Sequence, residues 1–239
     1  TTKPAPAAIS IWRTVTTKSF GRPNNLGLSD KVYAYRLDYG FTDQEVVELS
    51  NSDKFYIELN ASTLSESKLK QLIEMGLNTS HVRASFNYYP KLYTGHDLED
   101  AQQIVAMFNQ YGINVGAFLP STNQQRPPMY EGLPSIESHR LQDKSISIEE
   151  LKAIGVSEIF IGDSYASIDE ICMLEKHNKD YPVISLELYN DEYKDLFEKS
   201  LRIRPDINGY ILRMSSSRGS SVKTFNAKNR EKYDITIDN

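Results

Sequence analysis

Hydrophobic and polar residues follow two periods along the chain, which predict short strands separated by amphipathic helices. The predicted strands cover residues 32–39, 54–60, 81–87, 113–119 and 158–162. The predicted helices cover residues 43–49, 65–76, 98–111, 147–154 and 167–176. Because each strand is followed by a helix, the pattern predicts an α/β fold with a parallel sheet, which is either doubly wound or closed into a barrel.

The parity of the strand residues separates these two alternatives. Strands covered by helices on both faces read as continuous apolar runs, whereas three successive strands here carry polar side chains on one parity. The polar positions are Arg36, Asp38, Glu58, Asn60, Arg83, Ser85 and Asn87. The apolar positions of the other parity include Leu37, Ile57, Leu59, Val82, Ala84 and Phe86. A polar face on adjacent strands favours a barrel with a hydrogen-bonded interior near one end.

The candidate site lies at the carboxyl ends of the strands, where parallel barrels carry their chemistry. Its residues are Asp38, Glu58, Asn60, Asn87 and Asp163, and the long polar loop 120–141 is expected to cover them. Several carboxylates near amide and aromatic groups are typical of glycoside cleavage, in which one acid protonates the leaving oxygen and a second carboxylate acts as nucleophile or activates water. The alternative is a structural salt-bridge network with Arg36 and Arg83.

Composition and charge disfavour several other function classes. The net charge of −5 disfavours a nucleic-acid partner, and no apolar run reaches the roughly 18 to 20 residues of a membrane span. The single cysteine, Cys172, cannot form an internal disulfide and fits a reducing compartment. We see no signal-peptide pattern, no lysine at a strand end, no cluster of histidines and no phosphate-loop motif. We therefore expect neither a metal nor an organic cofactor.

Six short blocks follow one another along the predicted strand ends. They are residues 36–41 (RLDYGF), 57–63 (IELNAST), 87–95 (NYYPKLYTG), 115–118 (VGAF), 130–134 (YEGLP) with His139 and Arg140, and 161–167 (IGDSYAS). Together they resemble the MupG-type 6-phospho-N-acetylmuramidases. The resemblance extends into the tail, through residues 204–206 (RPD), 217–219 (SRG) and 234–239 (DITIDN).

The resemblance implies a cytoplasmic bacterial hydrolase of peptidoglycan recycling, which splits 6-phospho-N-acetylmuramic acid from N-acetylglucosamine. By position, the expected catalytic carboxylates are Asp38, Glu58 and Asp163. The expected substrate-binding residues are Asn60, Asn87, Tyr88, Tyr89, Tyr93, Arg126, Glu131, Arg140 and Arg218. Among these, the tyrosines suit stacking on sugar rings and the arginines suit the phosphate. The alternative function is a non-catalytic phosphosugar-binding or interaction protein.

The same resemblance implies a TIM-type (β/α) barrel followed by a small β-rich C-terminal domain. We assign residues 28–180 to the barrel portion and residues 181–239, where alternation and turn signals indicate antiparallel strands, to the small domain. Residues 1–27 show no barrel strand and are left unassigned. Because an eight-stranded barrel needs about 200 residues or more, five strand–helix units predict an incomplete barrel. We also expect the small domain to be truncated, in a chain that is a fragment, rearranged or numbered without some segments.

Overall fold

The computed structural model describes residues 14–15, 33–38, 40–184, 186–187, 194, 202–206, 213–214 and 229, with the backbone alone at 14–15. The chain divides into two compact units, Thr1–Ser185 and Leu186–Asn239. In the second unit, Ile203 and Met214 form an antiparallel bridge. Most of the predicted small domain at 181–239, including Arg218, lies outside the described residues.

In the part of the chain that the structure describes, six parallel strands form one sheet in the order in which they occur along the sequence. They are β1 (Thr14–Val15), β2 (Ala34–Leu37), β3 (Tyr56–Asn60), β4 (Val82–Ser85), β5 (Asn114–Leu119) and β6 (Glu158–Ile161). The five predicted strands correspond to β2 through β6. The expectation of no barrel strand in residues 1–27 is wrong, because β1 pairs with β2 in parallel, with Thr14 opposite Arg36. Two residues are too few to show a period in sequence.

Within the described ranges, five helices connect or follow these strands. They are α1 (Asp43–Ser50), α2 (Glu66–Glu74), α3 (Leu98–Gln110), α4 (Lys144–Ala153) and α5 (Ile168–His177). Thr42 and Ser167 begin α1 and α5 with reciprocal capping boxes. Helix α4 begins earlier than the predicted start at residue 147, because the Asp143 carboxylate accepts the backbone N–H groups of Ser145 and Ile146.

The apolar parity of the strands packs against the helices and forms the core. Ile57 and Phe86 are fully buried there, together with Leu69 of α2 and Phe108 of α3. Burying side chains of this size stabilises the fold by about 1.5 to 3 kcal/mol each. The opposite parity therefore faces the interior side of the sheet, as predicted for a barrel.

On the interior face of the sheet, Gly116 on β5 leaves room for neighbouring side chains. A Cβ atom at this position would lie 2.8 Å from the ring of Phe160 and 3.5 Å from the Cβ of Ser85. The Phe160 ring therefore lies against Gly116, and it packs against the Phe118 ring with centroids 5.6 Å apart. Glu158 of β6, which lies opposite Gly116, pairs with Arg83 of β4, so polar and aromatic side chains share this part of the interior face.

The parallel sheet with alternating helices confirms the predicted α/β fold and is consistent with a TIM-type barrel. Among the described residues, β1 and β6 each pair with a single neighbouring strand. None of the helices in the described part of the chain combines the length and apolar character that crossing a membrane requires.

Candidate active site

Arg36 on β2 is the centre of a polar cluster at the carboxyl ends of β2, β3 and β4. Its Nε donates to Asp38 Oδ1 at 2.8 Å, and its Nη1 donates to Glu58 Oε1 at 3.3 Å. Its Nη2 donates to Asn87 Oδ1 at 2.6 Å, and its Nη1 also bonds the hydroxyl of Ser85. The strand register explains this convergence, because Arg36 lies opposite Glu58 and side chains of one parity point to one face.

Asn60 completes the cluster at the end of β3. Its amide nitrogen donates to Asn87 Oδ1 at 3.0 Å and to Asp38 Oδ1 at 3.4 Å. Four of the five residues predicted to form the site, Asp38, Glu58, Asn60 and Asn87, are therefore joined in one network.

The predicted alternative was a salt-bridge network with Arg36 and Arg83. Arg36 makes the contacts of this cluster, whereas Arg83 pairs with Glu158 and donates to the Tyr33 hydroxyl at 2.6 Å. The contacts of the cluster hold the carboxylates and amides in place at the carboxyl ends of the strands.

The two carboxylates of the cluster differ in their exposure to solvent. The Asp38 side chain is 24% exposed, so a ligand at the sheet edge can reach it. Glu58 is 1% exposed, and it accepts a hydrogen bond from the Ser85 hydroxyl. Burial raises the pKa of Glu58 from 4.5 to about 7, although Ser85 and Arg36 act in the opposite direction. Glu58 therefore exchanges its proton close to neutral pH.

An aromatic and cationic group adjoins this cluster. Tyr88 follows Asn87 directly, and its ring meets the Phe118 ring edge to face with centroids 5.4 Å apart. Arg126 Nη1 donates to the Tyr88 hydroxyl at 3.0 Å, and its guanidinium carbon lies 5.8 Å from the Tyr88 ring centroid. Tyr88 and Arg126, both predicted to bind substrate, are thus brought together.

Asp163, the fifth predicted site residue, has different contacts. Its Oδ2 accepts the backbone N–H of Ser121 at 2.8 Å, and its Oδ1 accepts the backbone N–H of Arg126 at 2.9 Å. No hydrogen bond among the described residues joins it to the Arg36 cluster. Its catalytic role stays a prediction, and its observed contacts hold the loop after β5.

The predicted Glu131 and Arg140 hold the loop after β4. Glu131 Oε2 accepts the backbone N–H of Leu92 at 2.7 Å. Arg140 is 6% exposed, and its guanidinium makes six hydrogen bonds within the protein. These bonds engage all three nitrogen atoms of the guanidinium, so Arg140 could bind a phosphate only by releasing protein acceptors.

Glu137 was not predicted to contribute, yet it secures the same loop. It accepts the backbone N–H groups of Tyr93 at 2.9 Å and Gly95 at 2.8 Å, as well as two N–H groups of Arg140. The hydrogen bond from Arg140, reinforced by these backbone N–H groups, lowers the pKa of Glu137 to about 2. Tyr93 itself is 89% exposed and has a φ of 65°, a strained conformation for an aromatic residue.

A second set of contacts positions Tyr89. No sequence pattern predicted these contacts. The Tyr89 hydroxyl lies 3.1 Å from His96 Nε2, which lies 3.0 Å from the Ser62 hydroxyl. The Ser62 hydroxyl in turn accepts the backbone N–H of Asn87 at 2.8 Å. Sequence alone shows His96 as an isolated loop residue, because the contact with Ser62 comes from a loop distant along the chain.

Within the described residues, no three His, Cys, Asp or Glu side chains form a group that could hold a metal ion.

Two solved structures of uncharacterised proteins resemble the chain. A conserved Enterococcus faecalis protein of unknown function shares 27% identity with a TM-score of 0.57, covering 66% of this chain and 46% of that protein. An uncharacterised B. cereus protein shares 24% identity with a TM-score of 0.70, covering 84% of this chain and 60% of that protein. The chain therefore spans about half to three fifths of the length of these structures.

A comparison with curated proteins gave no match. By contrast, the family model described as "6-phospho-N-acetylmuramidase, N-terminal" matches residues 15–176. The matched range begins within β1 and ends within α5, so it contains the Arg36 cluster and the loops that surround it. The chain belongs to the 6-phospho-N-acetylmuramidase N-terminal family.

Proposed function

We propose that this chain is a glycosidase that hydrolyses the bond between 6-phospho-N-acetylmuramic acid and N-acetylglucosamine, in the cytoplasmic recycling of bacterial peptidoglycan. The observation that carries the proposal is the Arg36 cluster, which gathers two carboxylates and two amides at the carboxyl edge of parallel strands. The family's name supports the class of reaction, because it describes a glycosidase acting on a phosphorylated amino sugar.

In this proposal Asp38 is the carboxylate that acts at the glycosidic bond. It is exposed enough to meet a ligand, and the ion pair with Arg36 fixes its orientation. Asn60 and Asn87 lie beside it and can bond hydroxyl or acetamido groups of the sugar, while Tyr88 offers an aromatic face. Polar groups on one side and an aromatic ring on the other match the two surfaces of a sugar.

Glu58 is the second carboxylate of the proposed pair. With a pKa of about 7, Glu58 can change its charge near neutral pH. Because Glu58 is buried beneath Arg36, we assign it an indirect action through that residue. When Glu58 gains a proton, Arg36 loses one of its two anionic partners and keeps the ion pair that orients Asp38.

The proposal is tested by incubating the purified 239-residue chain with 6-phospho-N-acetylmuramyl-N-acetylglucosamine and with the same disaccharide lacking the phosphate. We expect cleavage of the phosphorylated disaccharide alone, and loss of that cleavage in Asp38→Asn. Binding of the phosphorylated disaccharide without turnover, by folded wild-type protein, would contradict the enzyme proposal and support the non-catalytic alternative.

A further inference from the structure

Asp163 closes a short loop at both of its ends. Its two carboxylate oxygens accept the backbone N–H groups of Ser121 and Arg126, at 2.8 Å and 2.9 Å. The loop between them is braced internally, because Gln125 Nε2 donates to the Ser121 carbonyl at 3.1 Å. A buried carboxylate whose oxygens are both occupied by backbone donors is suited to fixing a loop.

The loop 121–126 ends at Arg126, whose guanidinium has N–H groups available for a ligand. Among the described residues, the Arg126 guanidinium has one hydrogen bond, to the Tyr88 hydroxyl. An arginine side chain has five N–H donors, so most of them remain for a ligand. The contrast with Arg140, whose guanidinium nitrogens are all engaged, makes Arg126 the better candidate for an anionic ligand.

The position of Arg126 relative to the Arg36 cluster matters for the proposed reaction. Arg126 contacts Tyr88, which directly follows Asn87, and the Asn87 side chain is bonded to Arg36. An anion bound by Arg126 would therefore lie next to the candidate active site. A phosphate monoester suits the planar donor array of a guanidinium.

We propose that Asp163 is a positioning residue, which holds the loop 121–126 so that Arg126, backed by Tyr88, takes the phosphate monoester of the sugar substrate. This inference rests on the proposed function for the identity of the substrate. It gives Asp163 a role in affinity and specificity, in place of a role at the glycosidic bond.

Glu170 provides a matched control within the same loop. It is buried and accepts the Thr122 N–H at 2.8 Å and the Ser121 hydroxyl at 2.8 Å. Glu170 therefore holds the beginning of the loop. Asp163, unlike Glu170, also accepts the backbone N–H of Arg126. Glu170→Gln removes a buried charge near Asp163 without touching the Arg126 backbone contact.

The test measures the affinity of N-acetylmuramic acid 6-phosphate and of unphosphorylated N-acetylmuramic acid by titration calorimetry. We expect Asp163→Asn and Arg126→Ala each to weaken binding of the phosphorylated ligand by about 10- to 100-fold, and to leave binding of the unphosphorylated ligand unchanged. The double variant should bind the phosphorylated ligand no more weakly than Arg126→Ala does, because both substitutions remove the same contact between Arg126 and the phosphate. In Glu170→Gln, the preference for phosphate should persist.

Kinetics separate positioning from catalysis. A positioning role predicts that Asp163→Asn raises the KM for the phosphorylated disaccharide, while its turnover number stays within a few-fold of wild type. If the turnover number instead falls by about 100-fold or more and the affinity is unchanged, Asp163 is a catalytic carboxylate and the inference is overturned.

Two further results keep the inference testable. If Asp163→Asn does not fold, Tyr88→Phe removes only the hydroxyl that Arg126 bonds, and unchanged phosphate preference in both Tyr88→Phe and Arg126→Ala would overturn the subsite. If wild-type protein binds the phosphorylated sugar through Arg126 and Asp163 but cleaves nothing, the proposed function fails and the phosphate subsite stands.

Discussion

Arg36 Nε lies 2.8 Å from Asp38 Oδ1, and this ion pair links the buried part of the site to its exposed edge. The same guanidinium contacts buried Glu58 on β3 and the Asn87 amide after β4. One cation therefore sets the geometry of groups that come from three strands. Removal of either carboxylate is therefore expected to change the contacts that hold this guanidinium in place.

Asp38→Asn tests the exposed end of this pair. The amide keeps the shape of the side chain but cannot transfer a proton or carry the negative charge, so we expect turnover to fall by about 10² to 10⁴. Stability should change little, because the side chain is partly exposed. Initial rates on the phosphorylated disaccharide and urea unfolding provide the two measurements.

Asp43→Asn is the matched control for this change. Asp43 begins α1 and pairs with Lys68, away from the Arg36 cluster. Equal loss of turnover in Asp38→Asn and Asp43→Asn would show that the effect is not specific to the site.

Glu58→Gln tests the raised pKa of the buried carboxylate. The folded-state pKa of about 7 lies above the ordinary value of 4.5, so the folded state binds the proton more tightly than the unfolded state. The resulting stability is fully present below the ordinary pKa and is lost as the pH rises through the folded-state pKa. A difference of this size corresponds to roughly 3 kcal/mol.

The glutamine variant lacks this titration, so its stability relative to wild type should rise by roughly 3 kcal/mol between about pH 4 and pH 8. The free energy of unfolding of both proteins, measured in urea across that range, checks the expectation. A constant difference at every pH would show that Glu58 does not titrate in this interval, whatever the absolute stability of the variant.

Arg140→Lys tests whether Arg140 stabilises the loop after β4 or binds the phosphate. A lysine cannot reproduce the paired bonds to Glu137 together with the bonds to the carbonyls of Tyr89 and Lys91. We expect a loss of about 3 kcal/mol in unfolding free energy, as for other disrupted buried ion pairs. The preference for phosphorylated ligand should survive in the folded variant, whereas Arg126→Lys should reduce it. Loss of that preference in Arg140→Lys, without a change in stability, would assign the phosphate to Arg140.

Much of the Arg36 cluster was predictable from the sequence, and the physical reason is the period of two. Once strands β2 to β4 lie parallel, parity alone places Arg36, Glu58 and Ser85 on one face. The loop contacts were not predictable in this way. The position of Asp163 at a strand end is visible in sequence, but its partners depend on the path of a loop that no period fixes.

Helix-capping residues also make contacts that the local sequence does not indicate. The Ser167 to Glu170 spacing predicts a helix start, yet the same Glu170 also receives the hydroxyl of Ser121. Its second set of partners comes from a loop distant in sequence. The predicted start of α4 was misplaced because Asp143, the actual cap, precedes a first turn with a single apolar residue, Ile146, which shows no apolar period.

Gly162 is a residue where the loop 120–141 touches the end of β6 closely. A Cβ atom there would lie 2.4 Å from the Leu133 carbonyl oxygen, so Gly162→Ala must displace either the strand end or the loop. We expect a loss of about 1 to 3 kcal/mol in stability and reduced turnover, because the displaced loop also carries Glu131 and Arg140. Gly116→Ala is the control, since the atom nearest to its Cβ belongs to the Phe160 side chain and not to the backbone. Urea unfolding of both variants should show the larger loss for Gly162→Ala. Equal losses would mean that the backbone contact at Leu133 yields as readily as a side chain does, and that the loop is not held rigidly against the strand.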